Sequence, residues 1–335
     1  TPAAVWETGQ MPRYLMLRTP SANRVYAGES GPLTAAELEL TAPFARDIEG
    51  ANLAGVDYLS FASDELLPGH LATVAAQSAC FALFEEVGDL LRPVALPDPF
   101  VLDDDLVTIP KYQGKTNEQF TQLLVGVTLA AVTREPSGPR QILDPLAGRG
   151  TTLSTALMLG HDAYGVEGDA KAFEQQASFY KTYLRRKRIR HTADVTNVRR
   201  EGKTIGKRLD ATVTLEDTTL HVTSFTGDTR TSADLFGRKK FDAIVTDAPY
   251  GVAHGATTDV RGTSGRRDRS PAGLLGEAIP VWASQLMHGG AIRIARTPVS
   301  PAAARRPGRT NSPARPAPLR CLPRPRPRNC RKTTS

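Results

Sequence analysis

Residues 141–152 constrain the fold of this chain more than any other segment. They read Gln-Ile-Leu-Asp-Pro-Leu-Ala-Gly-Arg-Gly-Thr-Thr, which predicts a short buried strand, a glycine turn and the start of a helix. A second apolar run, 163–166, is followed by Glu167. An acidic side chain at the end of such a second strand is well placed to accept hydrogen bonds from both hydroxyls of a ribose. Together the two elements predict an α/β fold with a nucleoside cofactor site.

A pocket for a planar base is predicted about a hundred residues later. The apolar run Phe241–Thr246 is followed by Asp247, Ala248, Pro249 and Tyr250. A carboxylate and a backbone carbonyl can accept the two N–H groups of an exocyclic amine, an aromatic ring can cover one face of the base, and a proline can fix the backbone between them.

These motifs resemble those of class I S-adenosylmethionine-dependent methyltransferases of the amino-methylating type. The matching segments are Asp-Pro-Leu-Ala-Gly-Arg-Gly-Thr at 144–151, Gly-Val-Glu-Gly-Asp at 165–169, Thr-Gly-Asp-Thr at 226–229 and Asp-Ala-Pro-Tyr-Gly at 247–251. Residues 112–118, Tyr-Gln-Gly-Lys-Thr-Asn-Glu, are similar to the lead-in of the THUMP-linked tRNA guanosine-N2 methyltransferases. The resemblance extends from about residue 108 to residue 296. It implies a Rossmann-like class I methyltransferase sheet.

The resemblance also implies roles for individual residues, with S-adenosyl-L-methionine as the cofactor and no metal. Asp144 and the glycine turn would face its methionine portion, Glu167 its ribose and Asp228 its adenine amine. The full set of implied cofactor-binding residues is Asp144, Ala147, Gly148, Gly150, Thr151, Glu167, Asp228 and Thr229. The implied catalytic residues are Asp247, Ala248, Pro249 and Tyr250. The family usually has Asp-Pro-Pro-Tyr, so Ala248 replaces the first proline and lowers the expected rigidity of the backbone there.

The reaction implied by the resemblance is methyl transfer to an exocyclic amine, with guanosine N2 in tRNA as the first substrate. Guanine in rRNA and the adenine amine of DNA or RNA are alternatives, because the pocket motif does not distinguish guanine from adenine. A catalytically impaired RNA-binding protein is an alternative of another class. The sequence does not determine the oligomeric state.

Three regions are predicted along the chain. Residues 1–105 are expected to form a small α+β domain, either a degenerate RNA-binding domain or one that only packs on the core. Its predicted elements are strands at Arg13–Leu17 and Val56–Phe61, a helix at Thr34–Ala45 with Thr34 and Glu37 as a capping box, a helix at Leu71–Phe84, and an extended segment at Pro93–Leu96. A further extended segment, Leu106–Ile109, is predicted just after the domain boundary. Asp103, Asp104 and Asp105 are interpreted as a solvated loop, since consecutive carboxylates point in different directions on an extended chain.

Residues 106–296 are expected to form the methyltransferase domain. The predicted helices are 116–132, 170–186 and 271–287, and the predicted strands are 141–143, 163–166, 220–225, 241–246 and 291–295. Alternating residues around Gly202 predict a β hairpin within an insertion at 191–217. At the end of the second helix, the basic run 185–190 either contacts phosphates or complements the helix dipole.

Residues 297–335 differ in composition from the rest of the chain. They contain nine Arg, one Lys and nine Pro with no Asp or Glu, so they account for the net charge of +7 and the preceding residues are mildly acidic. This composition predicts a disordered tail. The tail is either a natural RNA-binding extension or the product of a frameshift in a GC-rich gene, because the last strands expected of the fold have no candidate there.

The remaining composition predicts a cytoplasmic protein. The chain has only Cys80, Cys321 and Cys330, none spaced with a histidine as a metal site would require, so neither a disulfide framework nor zinc is expected. The most apolar stretch, Leu123–Val132, is too short to cross a bilayer, and no signal sequence is recognised. No membrane partner is therefore expected.

Overall fold

The amino-terminal part of the chain forms a five-stranded antiparallel sheet. The computed structural model describes residues 11–20, 24–112, 114–248 and 271–295. The strands are β1 (Arg13–Arg18), β2 (Arg46–Leu53), β3 (Val56–Ala62), β4 (Cys80–Val87) and β5 (Leu90–Val94), in the order β2-β3-β1-β4-β5. Helices α1 (Arg24–Thr41) and α2 (Pro68–Ala75) pack against the sheet. Met16, Leu38, Phe61, Val74 and Leu83 are among the fully buried residues of its core.

Helix α1 begins ten residues earlier than predicted, so the capping box at its expected start is wrong. Thr34 lies inside the helix, where its hydroxyl donates to the carbonyl of Ser30 at 2.6 Å. The Glu37 carboxylate is buried and accepts hydrogen bonds from the backbone N–H and the hydroxyl of Ser78. Burial raises the pKa of Glu37 to about 7. Glu37 therefore connects α1 to the turn before β4.

The predicted helix Leu71–Phe84 is also wrong in its second half. Helix α2 ends at Ala75, and the chain turns at residues 76–79 before β4 begins at Cys80. Strand β4 pairs with β1 on one side and β5 on the other. This pairing on both edges outweighs the local preference of an alanine-rich segment for helix, because strand formation depends on neighbours that are distant in sequence.

Helices α3 (Asp105–Thr108) and α4 (Glu118–Ala130) follow this sheet in the chain and precede the strands of a second sheet. The extended segment predicted at Leu106–Ile109 is wrong, because Leu106 and Val107 are buried on the single turn of α3. The adjacent acidic run is not a free loop either. Lys187 forms ion pairs with Asp103 at 2.7 Å and Asp105 at 2.5 Å. These contacts hold the segment against the end of a later helix.

The remainder of the described chain forms a seven-stranded sheet. Its strands are β6 (Gln141–Asp144), β7 (Asp162–Glu167), β8 (Arg190–Arg200), β9 (Lys203–Thr214), β10 (Thr219–Thr226), β11 (Phe241–Asp247) and β12 (Leu286–Ala295). The helices are α5 (Thr151–Met158), α6 (Ala170–Arg186), α7 (Ser232–Phe236) and α8 (Pro271–Ser284). The strand order is β8-β9-β10-β7-β6-β11-β12, and the five strands from β10 to β12 are parallel.

This arrangement is a Rossmann-like α/β fold. The chain leaves β6 towards β7 and β10 on one side and later returns to β11 and β12 on the other, so a topological switch point lies between β6 and β11. Successive residues of β6 are buried in different clusters, Ile142 with helices α5 and α6 and Leu143 with α8. Apolar residues of the central strands are buried on both faces, as at Ile142–Leu143 and Ala243–Val245, which is expected for a parallel sheet covered on both sides.

The predicted hairpin is present at the edge of this sheet. Strands β8 and β9 pair in antiparallel register, with Arg200 opposite Lys203. The two turn residues, Glu201 and Gly202, have φ values of 50° and 76°. Positive φ at both positions is the geometry of a type I′ turn, whose twist suits a two-residue hairpin.

Two predictions change at the carboxyl end of the described chain. Helix α8 ends at Ser284, three residues before the predicted limit, and β12 begins at Leu286 rather than at Ala291. The tail predicted to be disordered, 297–335, lies outside the described residues. Within the described part, no helix is both long and apolar enough to span a membrane.

Candidate active site

Four acidic residues predicted to serve the cofactor and the base lie along one edge of the parallel sheet. Asp144, Glu167 and Asp247 are the last residues of β6, β7 and β11, and Asp228 follows β10 by two residues. Parallel strands end at the same edge, and ligands of open α/β sheets bind in the crevice at their carboxyl ends. Asp144 and Asp247 are on the two strands that flank the switch point.

The glycine turn after β6 is tightly packed on one side and open on the other. Gly148 and Gly150 have φ values of 54° and 88°, which favour glycine. A Cβ added at Gly150 would lie 2.9 Å from the Gln176 side-chain nitrogen, whereas one added at Gly148 would meet nothing within 4 Å. The N–H of Ala147 donates to the Val166 carbonyl at 2.9 Å. The backbone at Gly148 is therefore held in place and open to a ligand.

Glu167 connects this turn to the start of α6. One carboxylate oxygen accepts from the N–H of Gly148 at 2.6 Å, and the other accepts from the N–H of Asp169 at 2.7 Å. Burial raises the pKa of Glu167, and these two backbone donors oppose that effect. A carboxylate has about four acceptor positions. Glu167 therefore retains acceptor capacity for ribose hydroxyls while it fixes the glycine turn.

Asp144 is a buried carboxylate, with 3% of its surface exposed. It accepts from the N–H of Leu146 at 3.0 Å and forms no ion pair within the described part of the chain. Burial raises its pKa to about 6. A cationic ligand group beside Asp144 would favour its ionised form, because an opposite charge within a few ångströms offsets the cost of desolvation.

Asp228 is held by Arg230. The guanidinium contacts both carboxylate oxygens through Nε at 3.0 Å and reaches Glu277 of α8 at 2.8 Å. These hydrogen bonds from Arg230 lower the pKa of Asp228. The neighbouring Thr229 is buried, and its hydroxyl accepts from the indole N–H of Trp282 at 2.9 Å. Arg230 and Trp282, which no sequence motif indicates, thus fix the loop after β10.

Asp247 has one engaged oxygen and one free oxygen. Its Oδ2 accepts from the hydroxyl of Thr116 at 2.8 Å. Its Oδ1 is buried and has no hydrogen-bond partner among the described residues. Burial raises the pKa of Asp247, and the Thr116 hydrogen bond opposes that effect. A buried acceptor without a partner is costly, so this oxygen is suited to a donor that a ligand supplies.

Ala248 is fixed by a backbone hydrogen bond instead of a proline ring. Its N–H donates to the carbonyl of Ala295 on β12 at 2.9 Å, and only 2% of its surface is exposed. A proline at this position could not form this bond, since it has no N–H. Pairing with β12 therefore compensates for the departure from the Asp-Pro-Pro-Tyr pattern. The other two predicted catalytic residues, Pro249 and Tyr250, lie outside the described residues.

The lead-in before α4 contacts both halves of the candidate site. Thr116 binds Asp247, and the Tyr112 hydroxyl lies 2.9 Å from the hydroxyl of Thr151 at the start of α5. The guanidinium of Arg149 lies over the Tyr112 ring, 4.6 Å from its centre. This lead-in belongs to the segments that carry the family resemblance, but the resemblance implies no role for its side chains. No local pattern identifies a contact between residues 131 positions apart in the chain.

The comparisons with known proteins add solved structures of low similarity. No family model matches the sequence, and no curated protein matches it. The chain is similar to the 16S rRNA N2 G1207 methyltransferase RsmC of T. thermophilus in complex with AdoMet and guanosine, at 14% identity and a TM-score of 0.30, over 85% of this chain and 56% of that one. It is also similar to PH0851, at 11% identity and a TM-score of 0.30, over 87% and 48% of the two chains.

The chain therefore spans about half the length of these two structures. Similarity at this level identifies no reaction. The Rossmann-like fold is established by the strand order, and the function has to be inferred from the side chains at the edge of the sheet.

Proposed function

We propose that this protein is an S-adenosyl-L-methionine-dependent methyltransferase that acts on the exocyclic amine of a base in RNA, with guanosine N2 in tRNA as the first substrate to test. The observation that carries the proposal is the free Oδ1 of Asp247, a buried acceptor at the switch point of a Rossmann-like sheet. Its other oxygen is oriented by Thr116. An amine N–H of the target base satisfies this acceptor.

The residues near the glycine turn suit the cofactor. Gly148 leaves open space beside a fixed backbone, Glu167 has spare acceptor positions, and Asp144 is a buried carboxylate without a cationic partner in the described chain. S-Adenosyl-L-methionine has groups that suit each of these residues. Its ribose diol would bind Glu167, its positively charged ammonium and sulfonium groups would lie near the Asp144 carboxylate, and its methionine portion would occupy the space beside Gly148. Ala147, Gly150 and Thr151 would contact its methionine portion, and Asp228 and Thr229 would lie beside its adenine.

The chemistry requires alignment more than acid-base catalysis. When bound, the cofactor supplies a methyl group on a positively charged sulfur, and the displacement by the amine nitrogen is in line. Asp247 and the Ala248 carbonyl would accept the two amine N–H groups, which reduces conjugation of the nitrogen lone pair with the ring and directs it at the methyl carbon. As the new N–C bond forms, the bond between the methyl carbon and sulfur would break and leave its electron pair on sulfur. The proton that the nitrogen loses would pass to the Asp247 carboxylate or to water. Tyr250 would cover one face of the unstacked base.

The test is transfer of radiolabelled methyl from S-adenosyl-L-methionine to total tRNA, total rRNA and duplex DNA in parallel, followed by nucleoside analysis. The expected product is N2-methylguanosine in tRNA. Label in rRNA guanine or in adenine would keep the enzyme class and change the substrate. No label in any nucleic acid, from folded protein that binds the cofactor, would overturn the proposal in favour of a catalytically impaired RNA-binding protein.

A further inference from the structure

The β8–β9 hairpin extends past the edge of the sheet that carries the candidate site. Strand β9 runs antiparallel to β10, and the last residue pair between them is Arg208 with Phe225. The rest of β9 back to Lys203 continues beyond that pair, together with the end of β8. Thr226 of β10 still contacts Lys207 and Gly206, so the part of β9 without a neighbour on β10 is residues 203–205, about 10 Å of strand. Because β10 ends at the carboxyl edge, the hairpin turn projects on the same side as Asp228 and Asp247.

The projecting segment, Asn197–Lys207, is basic. It contains Arg199, Arg200, Lys203 and Lys207 with Glu201 as its only acidic residue. Arg200 lies 3.5 Å from Asp234 of α7, and both side chains are more than half exposed, so this pair is weak. Lys207 pairs with Glu174 at 2.8 Å. Arg199 and Lys203 are exposed and form no ion pair with a described residue.

The position of these charges differs from what protection of an edge strand requires. Lysine and arginine often prevent an exposed edge from pairing with another chain, and for that purpose they are distributed along the strand. Strand β8 is the outer strand, yet residues 191–198 contain no lysine or arginine. The basic residues are instead concentrated at the end of the hairpin beside the candidate site.

The other basic run, residues 185–190, lies near the amino ends of the parallel strands, far from their carboxyl ends. Helix α6 begins after the carboxyl end of β7 and has 17 residues, so Arg186 lies about 25 Å along its axis. Arg190 starts β8 opposite Thr214, at the end of the hairpin far from the turn. Residues 185–190 could either contact phosphates or complement the dipole of α6, and their location favours the second interpretation. This run also provides a control that has the same charges in a different place.

We propose that the projecting segment Asn197–Lys207 is a docking surface for the phosphate backbone of the RNA substrate. The inference rests on the proposed function and specifies how the substrate is held. The two unpaired cations lie on the same side of the sheet as the pocket for the base, with three strands between β9 and β11, or about 19 Å. At that distance they can hold phosphates a few nucleotides from the target base, and each phosphate they neutralise adds salt-dependent affinity. Exposed Ile205, two residues after Lys203, offers apolar contact to an unstacked base or sugar.

The test compares two double charge reversals. Arg199→Glu with Lys203→Glu changes the hairpin, and Arg186→Glu with Arg190→Glu makes the same charge change at the opposite edge. Binding of total tRNA is measured between 50 and 300 mM salt, conditions on the order of those in which phosphate contacts dominate. We expect the hairpin variant to bind at least about tenfold more weakly, with a salt slope reduced by about 1 to 2, and the control to stay within about threefold of the wild type.

Equal losses in both variants, or no loss in the hairpin variant, would overturn the inference. Cofactor affinity, measured on the same samples, verifies folding, and Arg199→Gln with Lys203→Gln replaces the reversal if it does not fold. Wild-type protein that methylates RNA while the hairpin variant keeps its KM for RNA would overturn only the docking surface. Wild-type protein that neither binds nor methylates RNA would overturn the docking surface and the proposed function together.

Discussion

The two ends of strand β11 carry aspartates in opposite situations. At the amino end, Asp242 is buried and both its oxygens are engaged, Oδ1 by Arg134 at 2.8 Å and Arg140 at 3.2 Å, and Oδ2 by the N–H of Gln141 at 2.9 Å. At the carboxyl end, Asp247 has one oxygen bound to Thr116 and one oxygen without a partner among the described residues. A carboxylate with all its partners supplied by the chain stabilises the fold, whereas one with an unused buried oxygen is available to a ligand.

The largest effect is expected from Asp242→Ala, which tests the stabilising end. Removing this carboxylate leaves two arginines and a backbone N–H without their acceptor. We expect the free energy of unfolding to fall by about 3 to 5 kcal/mol. Denaturant unfolding measures this change, and methyl transfer per folded molecule should stay near the wild-type value. A variant with normal stability and no activity would reverse the assignment of the two ends.

Asp247→Asn tests the ligand-binding end. The amide is similar in size but uncharged, and it has one acceptor oxygen where the carboxylate has two, so Thr116 and the amine of the base would compete for it. We expect methyl transfer to fall roughly 100- to 1,000-fold, as when one oriented hydrogen bond to the reacting group is lost. Cofactor affinity should change by no more than a few fold, and the stability of the fold should not decrease. Steady-state kinetics together with cofactor titration separate these effects, and unchanged activity would remove Asp247 from the mechanism.

Asp144→Asn extends the comparison to a third carboxylate. Burial raises the pKa of Asp144 to about 6. The carboxyl group of Asp144 therefore binds its proton more tightly in the folded chain than in the unfolded chain. Its ionisation therefore reduces stability as pH rises, with no effect below about pH 4 and the full effect above about pH 6. We expect the variant to be more stable than the wild type by roughly 1 to 3 kcal/mol at pH 8.

The same two proteins should have similar stability near pH 4, where the wild-type carboxyl is protonated as well. Unfolding curves at both pH values make this measurement. The variant should also bind S-adenosyl-L-methionine more weakly, since the amide cannot balance a cationic group. A stability gain of equal size at both pH values would show that ionisation of Asp144 is not its cause.

Thr116→Val removes the donor that orients Asp247. Both oxygens of that carboxylate would then lack a partner among the described residues, so its position becomes less defined. We expect kcat to fall about tenfold, which corresponds to one lost hydrogen bond to a charged group. Thr116→Ser keeps the hydroxyl and serves as the control. If the valine variant retains full activity, the contact between the lead-in and β11 has no role in positioning the carboxylate.

Ala248→Pro is expected to have the smallest effect. It removes the hydrogen bond from the Ala248 N–H to the Ala295 carbonyl and restores the proline of the family pattern. We expect a loss of about 1 kcal/mol in unfolding free energy. Methyl transfer should remain within about threefold of the wild type, because the carbonyl proposed to accept from the amine is retained. Loss of transfer in a stable variant would mean that pairing with β12 sets the direction of this carbonyl.

Much of the fold followed from local chemistry. The runs Gln141–Leu143, Ala163–Val166 and Phe241–Thr246 are apolar because both faces of their strands are covered, and the structure places strands at all three. Glycines marked the turn after β6 and the turn of the hairpin, where positive φ is required. The segment Leu71–Phe84 could not be predicted in the same way, because β4 exists only through its pairing with β1 and β5.

The sequence by itself determined the central parallel strands β6, β7, β10 and β11, the glycine turn and the acidic residues at the ends of these strands, since each depends on neighbours a few residues away. Only the tertiary structure decided that Thr116 binds Asp247, that Ala248 pairs with Ala295, and that the basic end of the hairpin lies on the edge of the candidate site. These contacts join residues that are far apart in the chain. Their formation depends on how the strands and helices pack, and the local amino-acid pattern does not determine that packing.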